Sequence, residues 1–371
     1  MKRKKSQILL ILLSAILIFG FSIAGLLLPD GTESMSERRK LASFPAITVE
    51  SLQSGTFMDE FETYAQDQFP LRETFRSLKA ITAKYVLQQG DNNGIYESSG
   101  HVSKLDYPLH MEKLDRNATI LQEVYDSLLA DTDCSTYLCI VPDKNYYLAP
   151  PKSYPHLDYE ALQTQLSDRL SFADSIDIFD QLGPEDYYRT DPHWKQEQIT
   201  HIADTLMLQM QGRSSVLVHE GLKSQTSDAP FYGAYVGQSA LPLQPDTLQY
   251  LTNDTLDACT VTSYQTGNPS PALLYDLEKA HGRDPYEMFL CGSDALLTIE
   301  NPNADTDKEL IVFRDSFGSS LIPLLAGNYA KITVVDLRYF NRLLLPQFLE
   351  CSDQDVLFLY STMTLNQTIS M

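Results

Sequence analysis

The feature that most restricts the fold is an alternation near the carboxyl end of the chain. Leu310-Ile311-Val312-Phe313, Ile332-Thr333-Val334-Val335 and Val356-Leu357-Phe358-Leu359-Tyr360 are short, continuous apolar runs. Such runs suit strands buried on both faces. The segments between them, 317–325 and 339–349, read as helices. Strands separated by helices form a parallel sheet covered on both sides. Tyr137-Leu138-Cys139-Ile140-Val141 is an earlier run of the same type, and Ile176 to Asp180 reads as a further strand. Helices expected over 113–130, 159–173 and 195–211 supply the covering layers.

A chain of 371 residues with 43% hydrophobic content and 21 tyrosines can bury a substantial core. Its formal net charge of −21 argues against nucleic acid, whose binding needs clustered Lys and Arg. The five cysteines, Cys134, Cys139, Cys259, Cys291 and Cys351, show no CxxC spacing, and no His/Cys cluster has zinc-site spacing. No metal or cofactor is called for. An odd count leaves at least one thiol unpaired within the chain, and pairing of the others stays open.

The amino end carries a membrane signal. Met1-Lys2-Arg3-Lys4-Lys5 is a basic head, and Ile8 to Leu28 follows without a charge. As a helix that run is about 31 Å long at ~1.5 Å per residue, close to a hydrocarbon core of ~30 Å. Basic residues favour the cytoplasmic side, which puts the rest of the chain outside. A cleaved signal peptide, with Ser22 and Ala24 as small residues, is the competing reading. The apolar run continues through Leu26-Leu27-Leu28, which favours an uncleaved anchor. The expected organisation is thus a basic head and transmembrane signal anchor over 1–29. A linker and helical segment packed on the core follow over 30–110. A three-layer domain covers 111–371, with an irregular Gly/Pro/Ser/Tyr-rich insertion over about 221–301.

Two stretches carry candidate chemistry. In Thr190-Asp191-Pro192-His193-Trp194 a carboxylate and an imidazole stand two apart, and on an extended backbone they would share one side. A carboxylate beside an imidazole fixes its tautomer and stabilises the imidazolium, as a general base requires. The bland alternative is that Asp191 caps the next helix and Trp194 fills a core. In Phe313-Arg314-Asp315-Ser316-Phe317-Gly318 a serine falls where a strand ends and a helix begins. Ligands collect at such carboxyl ends of parallel strands, and a helix amino terminus there would favour an oxyanion. Here too, Asp315 or Ser316 could serve only as a cap.

Together the two stretches resemble the DHHW family and the related SGNH-like domain of alginate O-acetylation proteins of the AlgX/AlgJ type. Asp67-Gln68-Phe69-Pro70-Leu71-Arg72 and Val141-Pro142-Asp143-Lys144 are similar to segments of that group. So are Gly292-Ser293-Asp294, at a glycine-rich turn before the serine strand, and Asp336-Leu337-Arg338-Tyr339. The resemblance implies an SGNH-hydrolase-like α/β/α fold with a permuted motif order, in which Asp-x-His precedes the serine. It implies Ser316 as nucleophile, His193 as base and Asp191 as orienting acid. It implies O-acetyl transfer to or from an extracytoplasmic polysaccharide, with a membrane-bound acyltransferase as acetyl donor. Pro192 stands where the family name has a second histidine, and Arg314 where ordinary SGNH enzymes have glycine. Gly292 and Arg314 are therefore oxyanion or substrate candidates.

Three further residues have two readings each. Lys144 binds donor or glycan, or is a solvated lysine. Arg189 steadies a substrate carboxylate, or pairs with the acidic surface. Tyr188 stacks on a sugar ring, or packs in the core. The competing view of the whole domain is a catalytically inactive SGNH-like module that binds glycan or assembles an envelope complex.

Overall fold

The computed structural model describes residues 2–369, without the side chains of residues 2–6 and Leu17, so of the basic head only the backbone from Lys2 is described. The chain divides into two compact units. One comprises 1–93 with 236–243, the other 94–235 with 244–371.

In the smaller unit, α1 spans Lys2–Leu27, α2 Thr56–Asp67 and α3 Arg72–Ile81. Residues Gln7–Leu27 of α1 form, among the described residues, a helix long and apolar enough to cross a membrane. The Asp67-Gln68 pair holds the linker in place. Asp67 is buried and accepts from both Arg39 Nη atoms, at 2.7 and 2.5 Å, and from the Ala42 N–H at 2.9 Å. Gln68 accepts from the Gly31 N–H and donates to the carbonyls of Gly31 and Ala42. Backbone groups of a linker are thereby satisfied without regular structure.

The larger unit is built on one eight-stranded sheet. Its strands are β1 (Ser135–Val141), β2 (Asp174–Ile176), β3 (Thr260–Ser263), β4 (Ser270–Ala272), β5 (Leu296–Glu300), β6 (Glu309–Arg314), β7 (Lys331–Val335) and β8 (Asp355–Ser361). Their spatial order is β4-β3-β5-β7-β6-β8-β1-β2. From β7 to β2 neighbours are parallel, and β5, β3 and β4 continue the sheet antiparallel. Three longer helices, α4 (Met111–Leu128), α5 (Tyr159–Arg169) and α6 (Thr200–Gln211), cover it.

Period-two alternation sorts the side chains of each strand between two cores. On β6, Leu310 and Val312 join Ile202, Leu206 and Met207 of α6. Ile311 and Phe313 join Leu114 and Leu121 of α4 and Leu162 and Leu166 of α5. Each such residue is fully or almost fully buried, which favours the fold by roughly 1.5–3 kcal/mol per large aliphatic side chain. This is the expected three-layer α/β/α arrangement.

Three details differ from expectation. The stretch 221–301 is not only an insertion over the core: β3, β4 and β5 extend the main sheet, while Lys223–Phe231 and Asp246–Thr252 form a separate hairpin. Strands such as Thr260–Ser263 bury alternate residues only, so they lack the continuous apolar runs that mark central strands. The expected helix over 317–325 is one α-turn, Gly318–Leu321, followed by a 3-10 segment Ile322–Asn328. Pro323 has no N–H for an α-helical bond, which explains the change. The expected helix from 195 begins as a 3-10 turn, Gln196–Gln198, with α6 starting at Thr200.

The candidate active site

Parallel strands bring their carboxyl ends to one edge, and the motif residues follow directly after four of them. Pro142-Asp143-Lys144 follows β1, Asp315-Ser316 follows β6, Asp336 follows β7, and Thr362 follows β8. The segment 187–194 closes over this edge.

That segment is a tight loop rather than an extended backbone. Tyr187 bridges Trp194 in antiparallel fashion, and the Tyr188 N–H donates to the His193 carbonyl at 3.0 Å. Asp191 sits in the turn. Its Oδ1 accepts the His193 backbone N–H at 3.2 Å and lies 2.6 Å from His193 Nδ1. The i, i+2 pairing therefore comes from an Asx turn rather than from a shared strand face. Asp191 Oδ2 accepts the Ala234 N–H at 2.9 Å, so both oxygens of this fully buried carboxylate are used.

On its other side, His193 Nε2 lies 2.8 Å from Ser316 Oγ. With Nδ1–H donating to Asp191, Nε2 is the acceptor for the serine hydroxyl. Ser316 is partly exposed, whereas Arg314, Asp315 and Phe317 around it are buried. Asp315 fixes the turn: its Oδ1 accepts the Phe317 N–H at 3.0 Å, and its Oδ2 accepts the N–H and Oγ–H of Ser361 at 2.8 and 2.6 Å. A carboxylate bonded twice from the adjacent strand end and once within its own turn holds the serine turn rigidly.

The imidazole is gripped from its faces as well. Tyr286 stacks on it with centroids 3.8 Å apart and planes 6° from parallel, and the Tyr286 hydroxyl lies 2.8 Å from Ser320 Oγ. Trp194 Nε1 donates to the Phe317 carbonyl and to Ser320 Oγ, each at 3.0 Å. Trp194 thus joins the histidine loop to the serine turn from inside the core, as a packing anchor.

The loop is also held from behind. Asp246 accepts from the N–H groups of Arg189 and Thr190 and from the Thr190 hydroxyl, at 3.1, 2.8 and 2.5 Å. The Gly233 N–H donates to Thr190 Oγ1 at 3.0 Å. A Cβ on Gly233 would come within 2.2 Å of the Thr190 carbonyl, so this approach requires glycine.

The remaining candidates behave differently from their ligand-binding readings. Lys144 is buried to 1% exposure and donates to the carbonyls of Tyr188 and Arg189 at 2.8 and 3.1 Å. Its ammonium also lies 5.1 Å from the Tyr235 ring centroid. Burial pulls its pKa down to about 7, against the attraction of Asp191 and Asp246. Tyr188 is fully buried against Phe231, which removes it as a sugar platform. Arg314 is fully buried, donating to the Gly292 carbonyl at 2.9 Å and facing Asp336 at 3.5 Å. Gly292 (φ 70°) spends its own N–H on the Phe289 carbonyl, so it offers no oxyanion donor in this conformation. Its Cβ would sit 2.7 Å from Glu287. Arg189 is half exposed, and its guanidinium contacts Asp246 and the Pro245 carbonyl. These residues build the loop and turn; a buried side chain presents no surface to a ligand.

Sequence reading passed over Tyr286, Asp246 and Gly233. Each lies in the stretch 221–301, and neither spacing nor composition there ties them to His193 or Thr190. Asp143 was named only as part of a motif. It accepts from the Asn145 N–H, the Tyr159 hydroxyl and the Thr362 hydroxyl, joining the ends of β1 and β8 to α5. The five cysteines are all free.

A mostly parallel α/β/α sheet, with a partly exposed serine at the end of a central strand facing a preceding Asp-x-His loop, has the SGNH-hydrolase-like architecture in permuted order. Residues 183–335 match the family described as DHHW protein. A DHHW family protein from Eubacterium siraeum is 20% identical, with a TM-score of 0.59 over 75% of this chain and 93% of that one. Bacillus cereus PatB1 with a sulfonyl adduct is 17% identical, with a TM-score of 0.60 over 74% and 97%. The O-acetyltransferase domain of Pseudomonas putida AlgJ is 14% identical, with a TM-score of 0.43 over 74% and 92%. Among curated proteins the sequence finds no match.

Proposed function

We propose that this protein is a serine-dependent O-acyltransferase that moves acetyl groups to or from hydroxyls of an extracytoplasmic polysaccharide. The observation that carries the reading is the unbroken hydrogen-bond chain from Ser316 Oγ through both ring nitrogens of His193 to Asp191. His193 accepts the Ser316 proton as Oγ attacks the ester carbonyl of the donor. Asp191 stabilises the imidazolium through Nδ1. Collapse of the tetrahedral intermediate breaks the donor ester bond, His193 returns the proton to the leaving oxygen, and acetyl-Ser316 remains. In the second half-reaction a sugar hydroxyl enters, His193 takes its proton, and the acetyl passes to the sugar oxygen as Ser316 regains its hydrogen. Water in place of the sugar gives the esterase outcome with the same groups.

The anchor belongs to the same reading. α1 holds the domain at the outer face of the membrane, where a membrane-bound acyltransferase supplies the acetyl donor. An inactive binding module gains nothing from a serine and a histidine within hydrogen-bond distance.

The test is acetyl release from p-nitrophenyl acetate, together with covalent labelling by an aryl sulfonyl fluoride. Wild type should release nitrophenol and take up one label, and Ser316→Ala should do neither. Equal rates in the two proteins would sink the proposal.

A further inference from the structure

A surface helix of a globular protein ordinarily turns its apolar face inward and its charges outward. Helix α3 departs from this: Glu73 and Lys79 are exposed, but its arginines and most of its apolar residues exchange sides. Its inward side carries Arg72 and Arg76, paired with Glu37 at 2.7 and 3.0 Å, and Arg76 also donates to the Gly237 carbonyl at 2.6 Å. Ala80, also inward, is fully buried against Ala240 and Leu241. The outward side carries Phe75, Leu78 and Ile81, with Leu71 just before the helix, all between 37% and 65% exposed. The following π turn, Thr82–Val86, extends the stripe with Tyr85 and Val86, 65% and 71% exposed. An ordered helix with charge inside and a continuous apolar stripe outside calls for a second apolar medium.

The contacts of α1 say which medium. Phe21 stacks on Phe69 at 5.4 Å and 9°, and meets Phe75 edge-on at 5.5 Å and 72°. Gly25 faces the Pro70 ring, with 3.7 Å from its would-be Cβ to Cδ. Phe21 lies six residues inside the apolar stretch that ends at Leu27. At ~1.5 Å per residue that is about 9 Å below the end of the span. Rings packed on Phe21 share its depth. Tyr85 and Lys84, whose ammonium lies 5.3 Å from the Tyr85 ring, are residue types that favour the headgroup boundary.

We infer that α3 and the turn after it are a second membrane element, lying along the outer-leaflet interface with the Leu71–Val86 stripe in the acyl-chain boundary. The inference rests on the reading that α1 spans the bilayer. It makes the smaller unit a two-point mount, one helix across the membrane and one along it, instead of a domain on a free tether.

The full chain, reconstituted in phosphatidylcholine vesicles brominated near the headgroup end of the acyl chains, tests this. Leu78→Trp and Val86→Trp report on α3, Ile11→Trp on the span, and the buried Trp194 of wild type supplies the background. Leu78→Trp and Val86→Trp should each lose about half or more of the added emission relative to unbrominated vesicles, with a blue shift. Quenching of Ile11→Trp without quenching of the other two would overturn the proposal while leaving the anchor intact. A blue shift at Leu78→Trp that is insensitive to bromine would also overturn it, by showing that protein, a second copy or a partner, covers the stripe. Absence of quenching at Ile11→Trp would remove the anchor, and the proposal with it.

Discussion

His193 Nε2 and Ser316 Oγ are 2.8 Å apart although 123 residues separate them in the chain. The contact exists because two differently built turns are each fixed by their own partners. Asp191, Asp246 and Gly233 shape the histidine loop, and Asp315 with Ser361 shapes the serine turn. Trp194 joins the two through Phe317 and Ser320.

Two buried aspartates beside the site should separate chemistry from stability. Asp191→Asn keeps the shape of the loop but removes the charge that supports an imidazolium. Acetyl-ester turnover should fall by about 10³–10⁴-fold, far beyond the roughly 1–3 kcal/mol in unfolding free energy expected from losing one acceptor, such as that for the Ala234 N–H. Asp315→Asn loses acceptors for Ser361 and Phe317 and should cost about 1–3 kcal/mol in unfolding free energy. Turnover and denaturant unfolding of both variants check the contrast.

Gly233→Ala should injure both properties. Its new methyl meets the Thr190 carbonyl at 2.2 Å and the Asp191 N at 2.4 Å, so the loop carrying Asp191 must shift. Overpacking of this kind costs about 1–3 kcal/mol. The shift should lower kcat more than it raises KM, because the His193–Ser316 geometry is what moves. Steady-state kinetics and a thermal melt read the two effects.

Tyr286 should act through its ring first and its hydroxyl second. Tyr286→Phe keeps the 3.8 Å stack on His193 and loses the bond to Ser320, a cost of about 1 kcal/mol with kcat nearly kept. Tyr286→Ala frees one face of the imidazole and should reduce kcat by at least tenfold, roughly 1.4 kcal/mol in the barrier. Equal effects of the two substitutions would show that the hydroxyl, not the stack, matters.

Lys144 predicts a pH signature. Its folded pKa of about 7 lies below its usual value of 10.5, chiefly because it is buried. The unfolded chain therefore holds this proton across a window where the folded protein does not. Wild-type stability should rise relative to Lys144→Met from about pH 7 to about pH 10.5 and level off outside that window. At low pH the variant also lacks the donors for the Tyr188 and Arg189 carbonyls, which costs about 1–3 kcal/mol. Denaturant unfolding of both proteins across the pH range measures the difference curve.

Much of the architecture was legible because central parallel strands need apolar residues on both faces. The runs at β1, β6, β7 and β8 carry that requirement openly. β3 and β4 could not be placed in the main sheet, since antiparallel strands near the sheet edge tolerate residues such as Thr260 and Ser270. The burial of Lys144 and Arg314 was not legible for a related reason. Charge suggests exposure, and only the carbonyls of Tyr188, Arg189 and Gly292, contributed by distant segments, permit their burial.

By itself the sequence determined an α/β domain behind an apolar amino-terminal helix, with Ser316, His193 and Asp191 as the residues to watch. Those follow from local chemistry: apolar periodicity, a strand followed by Asp-Ser, and an acid two residues from a histidine. The tertiary structure decided that Tyr286 and Gly233 complete the site, and that α3 turns Arg72 and Arg76 inward. Each of these depends on which distant groups satisfy a buried hydrogen bond or cover an apolar face. Neither can be read from neighbours in the chain, because the partners lie tens to hundreds of residues away.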